Sequence, residues 1–303
     1  MYDVLIIGAG GTGMSAAIYT TRYDLKTLIL TKDIGGQAAL TEVIENYPGI
    51  ERIGGYELME NFKKHAEKCG AEIVLDPAKK IVQIEGGFEV HTESKSVFSA
   101  KTVIVTSGLE HKKLGIPGED KFYGRGVAYC ATCDAPLYRD KTTVIVGGGN
   151  SALEGAEVLG RIGKKVYSVV RGAAYFGEAE VLRTVVQNPK IEVFYNSIVT
   201  EIEGEAKVTG AIIKNKKTGE TTNVEADGIF VAIGWAAKSE WLGDFVERTE
   251  TGEVLVEVSG ETKTPGVFAA GDITKLPTKQ LVVSAGEGVK AALRAVQYIR
   301  SGK

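Results

Sequence analysis

Short apolar runs alternate with amphipathic stretches along this chain, and glycine clusters mark several of the changes between them. The apolar run at residues 4–7 predicts a buried strand; a glycine cluster and a helical pattern to about residue 22 follow it. A second strand pattern covers residues 27–30. A strand, a glycine turn, a helix and another strand form a βαβ unit. The chain is therefore expected to begin with α/β structure.

The same order of patterns returns in the middle of the chain. A strand pattern at residues 143–146 leads into glycines 147–149, then into a helical pattern to about residue 161 and a strand pattern at residues 166–170. Two copies of one nucleotide-binding device are therefore predicted.

Strand-rich stretches surround the two copies, at residues 81–105, 191–213 and 228–233. Glycine- and proline-containing crossings are predicted at residues 108–121 and 234–244, and an amphipathic helix at about residues 285–300. The predicted fold class is α/β, with two Rossmann-like, three-layer (ββα) nucleotide-binding domains, the second inserted into the first. The predicted boundaries are residues 1–112 and 243–303 for the first domain and residues 113–242 for the inserted one.

Composition narrows the class of protein. A length of 303 residues suits two domains, and 44% hydrophobic with 25% charged residues is typical of a globular enzyme. With 36 basic and 39 acidic residues, the net charge of -3 gives no reason to expect nucleic acid or anionic lipid as a partner. No run approaches the ~18 apolar residues of a membrane helix. Because the start also lacks the basic residues of a secretion signal, a cytoplasmic location is expected.

The first glycine motif is Gly8-x-Gly10-x-x-Gly13. In this pattern the first glycine makes a tight turn, the second lets the backbone approach a pyrophosphate, and the third allows close packing of helix on strand. The helix that follows offers N–H groups to phosphates. Thr31 occupies the place where an acidic residue often binds the adenosine ribose, so ribose recognition is expected to come from elsewhere or to be weaker.

The second motif is Gly147-x-Gly149-x-x-Ala152, with Arg171 as the cation after the next strand. A free ribose 2′-hydroxyl is usually bound by Asp or Glu, and a 2′-phosphate by several arginines. The sequence supplies neither in full. Two interpretations remain open for this copy: a working nucleotide site, or a nucleotide-type fold that binds none.

The three cysteines are too few for a disulfide scaffold. Cys130 and Cys133, which are separated by two residues, can form a reducible disulfide and supply a thiolate, whereas Cys69 is expected to be a packed small residue. Half a zinc site is the alternative, but the histidines are dispersed and no metal is expected. Asp134 is the nearest proton carrier to the pair, or alternatively a helix cap.

With these residues in place, the chain resembles the low-molecular-weight thioredoxin reductases nearly end to end. The likeness rests on the two glycine loops, on Tyr129-Cys-Ala-Thr-Cys-Asp, on Gly271-Asp272, and on the segments at residues 35–37, 45–49, 106–108, 280 and 285–288. The resemblance implies one FAD bound by the terminal parts, with a homodimer as the usual assembly. By residue match, the FAD-binding residues would be Gly8, Gly10, Gly13, Gly35, Gly36, Gln37, Asn46, Gly271, Asp272 and Gln280.

The resemblance also implies catalytic roles. Cys133 would face the flavin, Cys130 would attack the disulfide of a thioredoxin-like protein, and Asp134 would be the acid. Relatives specific for NADPH carry a His-Arg-Arg…Arg cluster after the second strand of the inserted domain. Here those places are Val170, Arg171, Gly172 and Phe176, so one arginine of three remains.

Loss of two charge-assisted contacts would weaken 2′-phosphate binding by roughly 3–6 kcal/mol, or about 10²- to 10⁴-fold. An NADPH-independent reductase is therefore favoured, with NADH, ferredoxin or a deazaflavin as the electron donor. Other possibilities are a reductase for a different dedicated protein, a flavin and disulfide redox sensor, and a zinc-binding interaction module.

Overall fold

The computed structural model describes residues 1–41 and 43–302, except for the side chains of Thr132 and Cys133. The chain forms two compact units. The first unit comprises Met1–Glu110 and Ala236–Lys303, and the inserted unit comprises His111–Trp235. The prediction that one nucleotide-binding domain is inserted into another agrees with this division.

The elements before the insertion are β1 Tyr2–Ala9, α1 Gly11–Arg22, β2 Thr27–Ile34, α2 Gly36–Ala39, α3 Gly55–Lys68, β3 Glu72–Leu75, β4 Ala78–Ile84, β5 Gly87–Thr92, β6 Val97–Val105 and β7 Glu110–His111. The inserted unit continues with β8 Val127–Ala128, α4 Ala131–Asp134, β9 Thr142–Val146, α5 Asn150–Ile162, β10 Lys165–Val169, α6 Ala179–Gln187, β11 Ile191–Phe194, β12 Ser197–Gly204, β13 Val208–Asn215, β14 Thr221–Glu225 and β15 Gly228–Val231. The remaining elements are β16 Trp235–Ala236, β17 Glu247–Arg248, β18 Val254–Leu255, β19 Val267–Ala269 and α7 Leu281–Arg300.

A seven-stranded sheet organises the first unit. Its order is β3-β2-β1-β6-β5-β4, and β19 pairs with β6. The β1, β2, β3, β6 and β19 pairings are parallel, whereas β4, β5 and β6 form an antiparallel meander. Because side chains alternate along a strand, Val4 and Ile6 join one core cluster while Leu5 and Ile7 join another. Both faces of β1 are therefore buried, as its unbroken apolar run indicates.

The inserted unit repeats this plan with three layers. Its parallel sheet has the order β11-β10-β9-β15-β8, and β12, β13 and β14 form a separate antiparallel sheet. Ile145 of β9 packs toward the helices, in a cluster with Leu153 and Ala156. Its neighbours Val144 and Val146 pack with residues of the antiparallel sheet. The ββα layering expected from the sequence is confirmed.

The predicted domain boundaries, after residues 112 and 242, fall slightly later than the crossings in the structure. The difference is larger at the second boundary, which lies after Trp235, and it has a structural cause. A 3₁₀ helix at Glu240–Phe245 follows the second crossing, and its Leu242 is buried in a core cluster of the first unit with Ala237 and Val246. The helix predicted from about residue 285 begins earlier, at Leu281.

Candidate functional site

The first glycine loop joins β1 to α1 and has one open side. A Cβ atom on Gly8 would lie 2.6 Å from the carbonyl oxygen of Thr106, and one on Gly13 would lie 1.9 Å from the carbonyl oxygen of Gly8. A Cβ atom on Gly10 would meet no atom of the described residues within 4 Å. Gly8 and Gly13 are therefore required by packing, whereas Gly10 leaves backbone exposed where a pyrophosphate can approach.

Thr31 supports this loop from within the protein. Its buried Oγ1 accepts a hydrogen bond from the Ala9 amide at 3.1 Å and donates one to the carbonyl oxygen of Asp33 at 2.6 Å. Because both bonds are internal, the hydroxyl stabilises the strand end and is not directed to a ribose. A structural role accounts for the threonine at this position.

Three more of the predicted cofactor residues follow β2 and return to the same loop. The Gly35 amide donates to the carbonyl oxygen of Ala9 at 2.7 Å, and Gly35 has a φ of 89°, in the left-handed region. Gly36 begins α2, and Gln37 Nε2 donates to the carbonyl oxygen of Leu109 at 3.1 Å. These residues lie at the end of the parallel strands where the glycine loop lies, as expected for a ligand site in an α/β fold.

Asn46 and Gln280 meet although 234 residues separate them in the sequence. Asn46 Nδ2 donates to Gln280 Oε1 at 3.2 Å, and both residues are exposed. The structure thus joins one predicted residue from each terminal part of the chain.

Gly271 and Asp272 lie against the first turn of α1. A Cβ atom on Gly271 would lie 2.4 Å from Oγ1 of Thr12, so this close approach requires glycine. Ser284 Oγ donates to Asp272 Oδ1 at 2.6 Å. Gly288 of α7 packs in the same way, since its Cβ would lie 2.1 Å from the carbonyl oxygen of Thr12. The predicted carboxylate is therefore positioned by Ser284 of α7 and by the packing of its neighbour Gly271 against α1.

The predicted redox pair lies in the inserted unit, at the start of α4. Cys130 is half-buried and disulfide-bonded. The side chain of Cys133, the other predicted member of the pair, lies outside the described residues. Cys69 is a free, half-buried thiol in the first unit, immediately after α3, which fits its expected role as a packed residue.

Asp134 ends α4, and its amide donates to the carbonyl oxygen of Cys130 at 3.1 Å. Burial raises the pKa of its carboxyl group above the ordinary value. Asp134 precedes a 3₁₀ helix, Ala135–Tyr138, but within the described part of the chain its side chain makes no capping hydrogen bond. The capping alternative is therefore not supported, and a carboxyl group suited to carry a proton lies next to the predicted pair.

The residue before Cys130 is fixed by a buried carboxylate. Tyr129 Oη donates to Glu119 Oε1 at 2.9 Å, and burial together with Glu119 raises the pKa of Tyr129 strongly. Glu119 is 1% exposed and also accepts hydrogen bonds from the amides of Leu114 and Gly115, at 2.9 and 2.7 Å. The cysteine segment is thus tied to the loop that opens the inserted unit.

The second glycine loop joins β9 to α5. A Cβ atom on Gly147 would lie 2.2 Å from the carbonyl oxygen of Ala232 and 2.8 Å from the Cβ of Ala152, so Gly147 and Ala152 serve packing. Gly149 precedes α5 in an extended conformation. Arg171 is exposed in the loop after β10. The backbone of a phosphate-binding loop is therefore present in this unit.

Among the side chains that are described within residues 1–41 and 43–302, which exclude that of Cys133, no three or more of His, Cys, Asp and Glu are grouped as a metal site would require. None of the helices in those ranges has the length and apolarity to span a bilayer.

Comparison with known proteins decides the family. The model of the pyridine nucleotide-disulphide oxidoreductase family matches residues 2–296. The chain is 38% identical to the thioredoxin reductase of Treponema pallidum over 300 residues, covering 98% of this chain and 97% of that one. The crystal structure of Lactococcus lactis thioredoxin reductase superposes with a TM-score of 0.87 at 35% identity, covering 99% of this chain and 100% of that one. The chain belongs to the pyridine nucleotide-disulphide oxidoreductase family.

A further solved structure that matches this chain is named for both ferredoxin and flavin. The ferredoxin-flavin thioredoxin reductase of Clostridium acetobutylicum superposes with a TM-score of 0.55 at 33% identity, covering 99% of this chain and 98% of that one.

As a pyridine nucleotide-disulphide oxidoreductase, this chain is an FAD-dependent flavoenzyme. The residues of the first unit fit that cofactor. Gly10 presents open backbone at the start of α1, and the Asp272 carboxylate accepts a hydrogen bond from Ser284. Gly271, the residue before Asp272, lies against the first turn of α1.

Several supporting residues of this flavoenzyme were not found from the sequence. Ser284 orients Asp272, and Lys279 Nζ donates to the carbonyl oxygens of Asp272 and Thr274 at 2.9 and 2.6 Å. Glu119 acts likewise on Tyr129. For Ser284, the only sequence signal is its place one residue before the segment at 285–288. For Glu119 there is none, because a buried acid looks like a surface one in sequence.

Proposed function

We propose that this flavoenzyme reduces the disulfide of a thioredoxin-type protein through FAD in the first unit and the Cys130–Cys133 pair in the inserted unit. The observation that carries the proposal is the disulfide-bonded Cys130 beside Asp134, whose pKa is raised. It occurs in a chain whose relative over nearly the full length is a thioredoxin reductase. The proposed assembly is a homodimer, as the family resemblance implies.

The cysteines would transfer electrons by thiol–disulfide exchange. Bound FAD supplies a two-electron store between the electron donor and the cysteine disulfide. With two electrons and two protons, the pair becomes a dithiol. The Cys130 thiolate attacks the substrate disulfide, forms a mixed disulfide and expels one substrate sulfur as a thiolate. Cys133 then attacks Cys130, expels the second substrate sulfur and restores the disulfide.

Asp134 has the proposed role of proton carrier in these steps. A carboxyl group with a raised pKa retains its proton closer to neutral pH, so it can protonate a leaving thiolate. Its half-burial next to α4 keeps that proton near the sulfur atoms. The same group can take the proton back when the dithiol forms a thiolate.

The proposed electron donor is not NADPH. Of the four positions at which relatives carry the His-Arg-Arg…Arg cluster, Val170 is 1% exposed and lies in the core, and Gly172 has no side chain. Arg171 remains as a single exposed cation. A 2′-phosphate would thus have one guanidinium partner where bidentate contacts from several are usual. Among the remaining donors we favour a reduced ferredoxin, because a solved relative at 33% identity is named a ferredoxin-flavin thioredoxin reductase. NADH and a deazaflavin are the alternatives.

The first test uses cysteine variants of the FAD-loaded protein. Cys133→Ser should retain FAD yet lose at least about 10³-fold in reduction of a thioredoxin disulfide by the dithionite-reduced enzyme, because the mixed disulfide cannot be resolved. Cys69→Ser is the matched control and should keep full activity, since that thiol lies in the first unit after α3. Turnover by Cys133→Ser at the rate of the control would refute the proposed function.

The donor is tested by anaerobic mixing. Bleaching of the flavin band near 450 nm (an approximate, generic wavelength) should follow addition of reduced ferredoxin and not of NADPH. Bleaching by NADH at a rate that supports turnover would replace ferredoxin with NADH as the donor.

A further inference from the structure

The two glycine loops of this chain have the same backbone role but different surroundings. In the first unit, the direction in which a Cβ of Gly10 would point is open to 4 Å among the described residues. In the inserted unit, the corresponding glycine is Gly149, and a Cβ there would lie 3.0 Å from Cε2 of Phe176. The neighbouring Gly148 meets the same ring, with Cε1 of Phe176 at 3.0 Å from its Cβ position. An aromatic ring thus lies on the second loop where the first loop is open.

A backbone hydrogen bond fixes the main chain of Phe176 beside the second glycine loop. Its amide donates to the carbonyl oxygen of Gly148 at 2.8 Å, which fixes the segment directly beside the loop. The preceding residue, Tyr175, points the other way: it is buried, and its hydroxyl lies 2.5 Å from Oγ of Ser168. Tyr175 therefore anchors the segment in the core and leaves Phe176 on the surface.

The segment is also attached on its other side, at the start of α5. The Glu178 amide donates to Oδ1 of Asn150 at 2.8 Å, and a Cβ on Gly177 would lie 2.5 Å from the same oxygen. Asn150 is the first residue of α5. Residues 175–178 thus cross the end of the helix that would offer its N–H groups to phosphates.

These contacts have a direct consequence for a dinucleotide. In the glycine fingerprint, the second glycine exists so that the pyrophosphate can approach the backbone. At Gly149 the ring of Phe176 lies on that side of the backbone, only 3.0 Å from the position that a Cβ atom would take. The ring and a pyrophosphate cannot occupy the same space.

We propose that Phe176 is the specificity-determining residue that closes the second glycine loop to NADH and NADPH. This inference deepens the proposed function and rests on it in one respect: the closed loop restricts the reductase to a donor that does not bind there. The missing arginines weaken the binding of NADPH only, because NADH has no 2′-phosphate. Phe176 obstructs the site of the pyrophosphate, which both nucleotides contain.

Truncation of the ring gives the test. Phe176→Ala and Phe176→Ser, as FAD-loaded proteins, should bind NADH roughly tenfold or more tightly than the wild type, measured as Kd from nicotinamide fluorescence. Both should fold normally, because Phe176 is 83% exposed, and their melting temperatures check this. Val186→Ala is the matched control, since it shortens an apolar residue that is 48% exposed on α6 in the same unit. Its Kd for NADH should stay at the wild-type value.

Two results would overturn the assignment of Phe176. One is a wild-type protein that binds NADH as tightly as the truncated variants, and the other is a pair of folded variants with no gain over Val186→Ala. Reduction of thioredoxin by the dithionite-reduced proteins is measured on the same samples. Because that assay needs no nucleotide, its loss in the wild type would refute the proposed function while leaving the result on Phe176 intact.

Discussion

Asp134 shows how one residue acquires a chemical role from its surroundings. In the sequence alone, an aspartate after a cysteine motif is compatible with a helix cap or with an acid that donates a proton. In the structure the carboxyl group is half-buried, makes no capping bond among the described residues, and has a raised pKa because of burial. It also raises the pKa of Tyr138 in the adjoining 3₁₀ helix, after the effect of burial itself. A poorly solvated carboxyl group is the expected state of a proton donor.

Replacement of this carboxyl group should therefore alter the pH profile. In the wild type, reduction of thioredoxin should slow as pH rises through the raised pKa of Asp134, because the protonated fraction falls. Asp134→Asn should reduce the rate by roughly 10²- to 10⁴-fold and abolish that pH limb. The measurement is the rate of thioredoxin reduction by dithionite-reduced enzyme from about pH 5 to about pH 9.

The same substitution separates chemistry from folding. A carboxyl group with a raised pKa in the folded state costs stability when ionised, so Asp134→Asn should melt at the wild-type temperature or slightly above it at neutral pH. Asp140→Asn is the control: Asp140 is exposed nearby with a φ of 57°, a conformation that Asn also tolerates. A wild-type rate in Asp134→Asn would remove Asp134 from the mechanism.

At the scale of elements, the glycines of the β1–α1 turn have different structural roles, although the sequence motif does not distinguish them. Gly13 is where the helix meets the strand end, and its Cβ would lie 1.9 Å from the Gly8 carbonyl and 2.7 Å from Oγ1 of Thr106. Gly10 has a φ of -80° and a ψ of -177°, which any residue can adopt. One glycine is needed by the fold and the other by the ligand.

Two alanine substitutions should separate these roles. Gly13→Ala should lower the free energy of unfolding by about 1–3 kcal/mol, because neither backbone can move away without strain. Gly10→Ala should change it by less than about 0.5 kcal/mol in the FAD-free protein, yet weaken retention of FAD. Chemical denaturation of the apoprotein and FAD release on dilution measure the two effects. Equal stability of Gly13→Ala and wild type would contradict this division.

The sequence predicted these elements well where local pattern decides them. The apolar run at residues 4–7 became β1, and both glycine loops lie between a strand and a helix as expected. Contacts made by distant segments had no local signal. Asn46 and Gln280 were each assigned to the FAD site by resemblance, but nothing in the sequence indicated their hydrogen bond to one another. Phe176 covers Gly149 although the motif around Gly149 matches an open loop. A sequence pattern indicates which structure and which ligand a segment can support. The residues that pack against the segment determine whether the ligand can bind.

On the scale of the whole molecule, the two units differ in how their carboxylates are stabilised. In the first unit, hydrogen bonds and charges lower the pKa of four described carboxyl groups: Asp3, Asp76, Glu253 and Glu261. Burial alone would raise the pKa of Glu253, but Lys279, 3.0 Å away, holds it below the ordinary value. For Glu261 the main cause is Arg294, at 2.7 Å. In the inserted unit, the described carboxyl group with a resolved shift is Asp134, and its pKa is raised.

Acid should therefore destabilise the first unit before the inserted one. Carboxylates with a lowered pKa stabilise the fold above their unfolded pKa, and this stability is lost as pH falls from about 5 to about 3. Each exposed pair contributes at most about 1 kcal/mol, so the effect comes from their sum. Calorimetry as a function of pH, with Trp241 fluorescence in a Trp235→Phe variant to identify the first unit, measures it.

Glu253→Gln provides the matched variant for this experiment. It should lower the melting temperature of the first unit at neutral pH, and the difference from wild type should disappear in acid, where the Glu253 carboxyl group of the wild type is protonated and, like the glutamine amide, uncharged. Unfolding of the inserted unit at a higher pH than the first unit would show that the prediction is wrong.

The paired strands β7 and β16 have a consequence for the order in which the chain folds. Their pairing holds the two ends of the inserted unit at the distance between neighbouring strands of a sheet, about 4.8 Å. While that unit is unfolded, joining the two halves of the first unit means closing a very long loop, which costs about 4 kcal/mol of chain entropy. Once it has folded, its ends are already adjacent and most of that entropic barrier is gone. During synthesis the inserted unit leaves the ribosome before the C-terminal part of the first unit. Synthesis therefore favours an order in which the inserted unit folds first and then holds together the two chain segments from which the first unit forms.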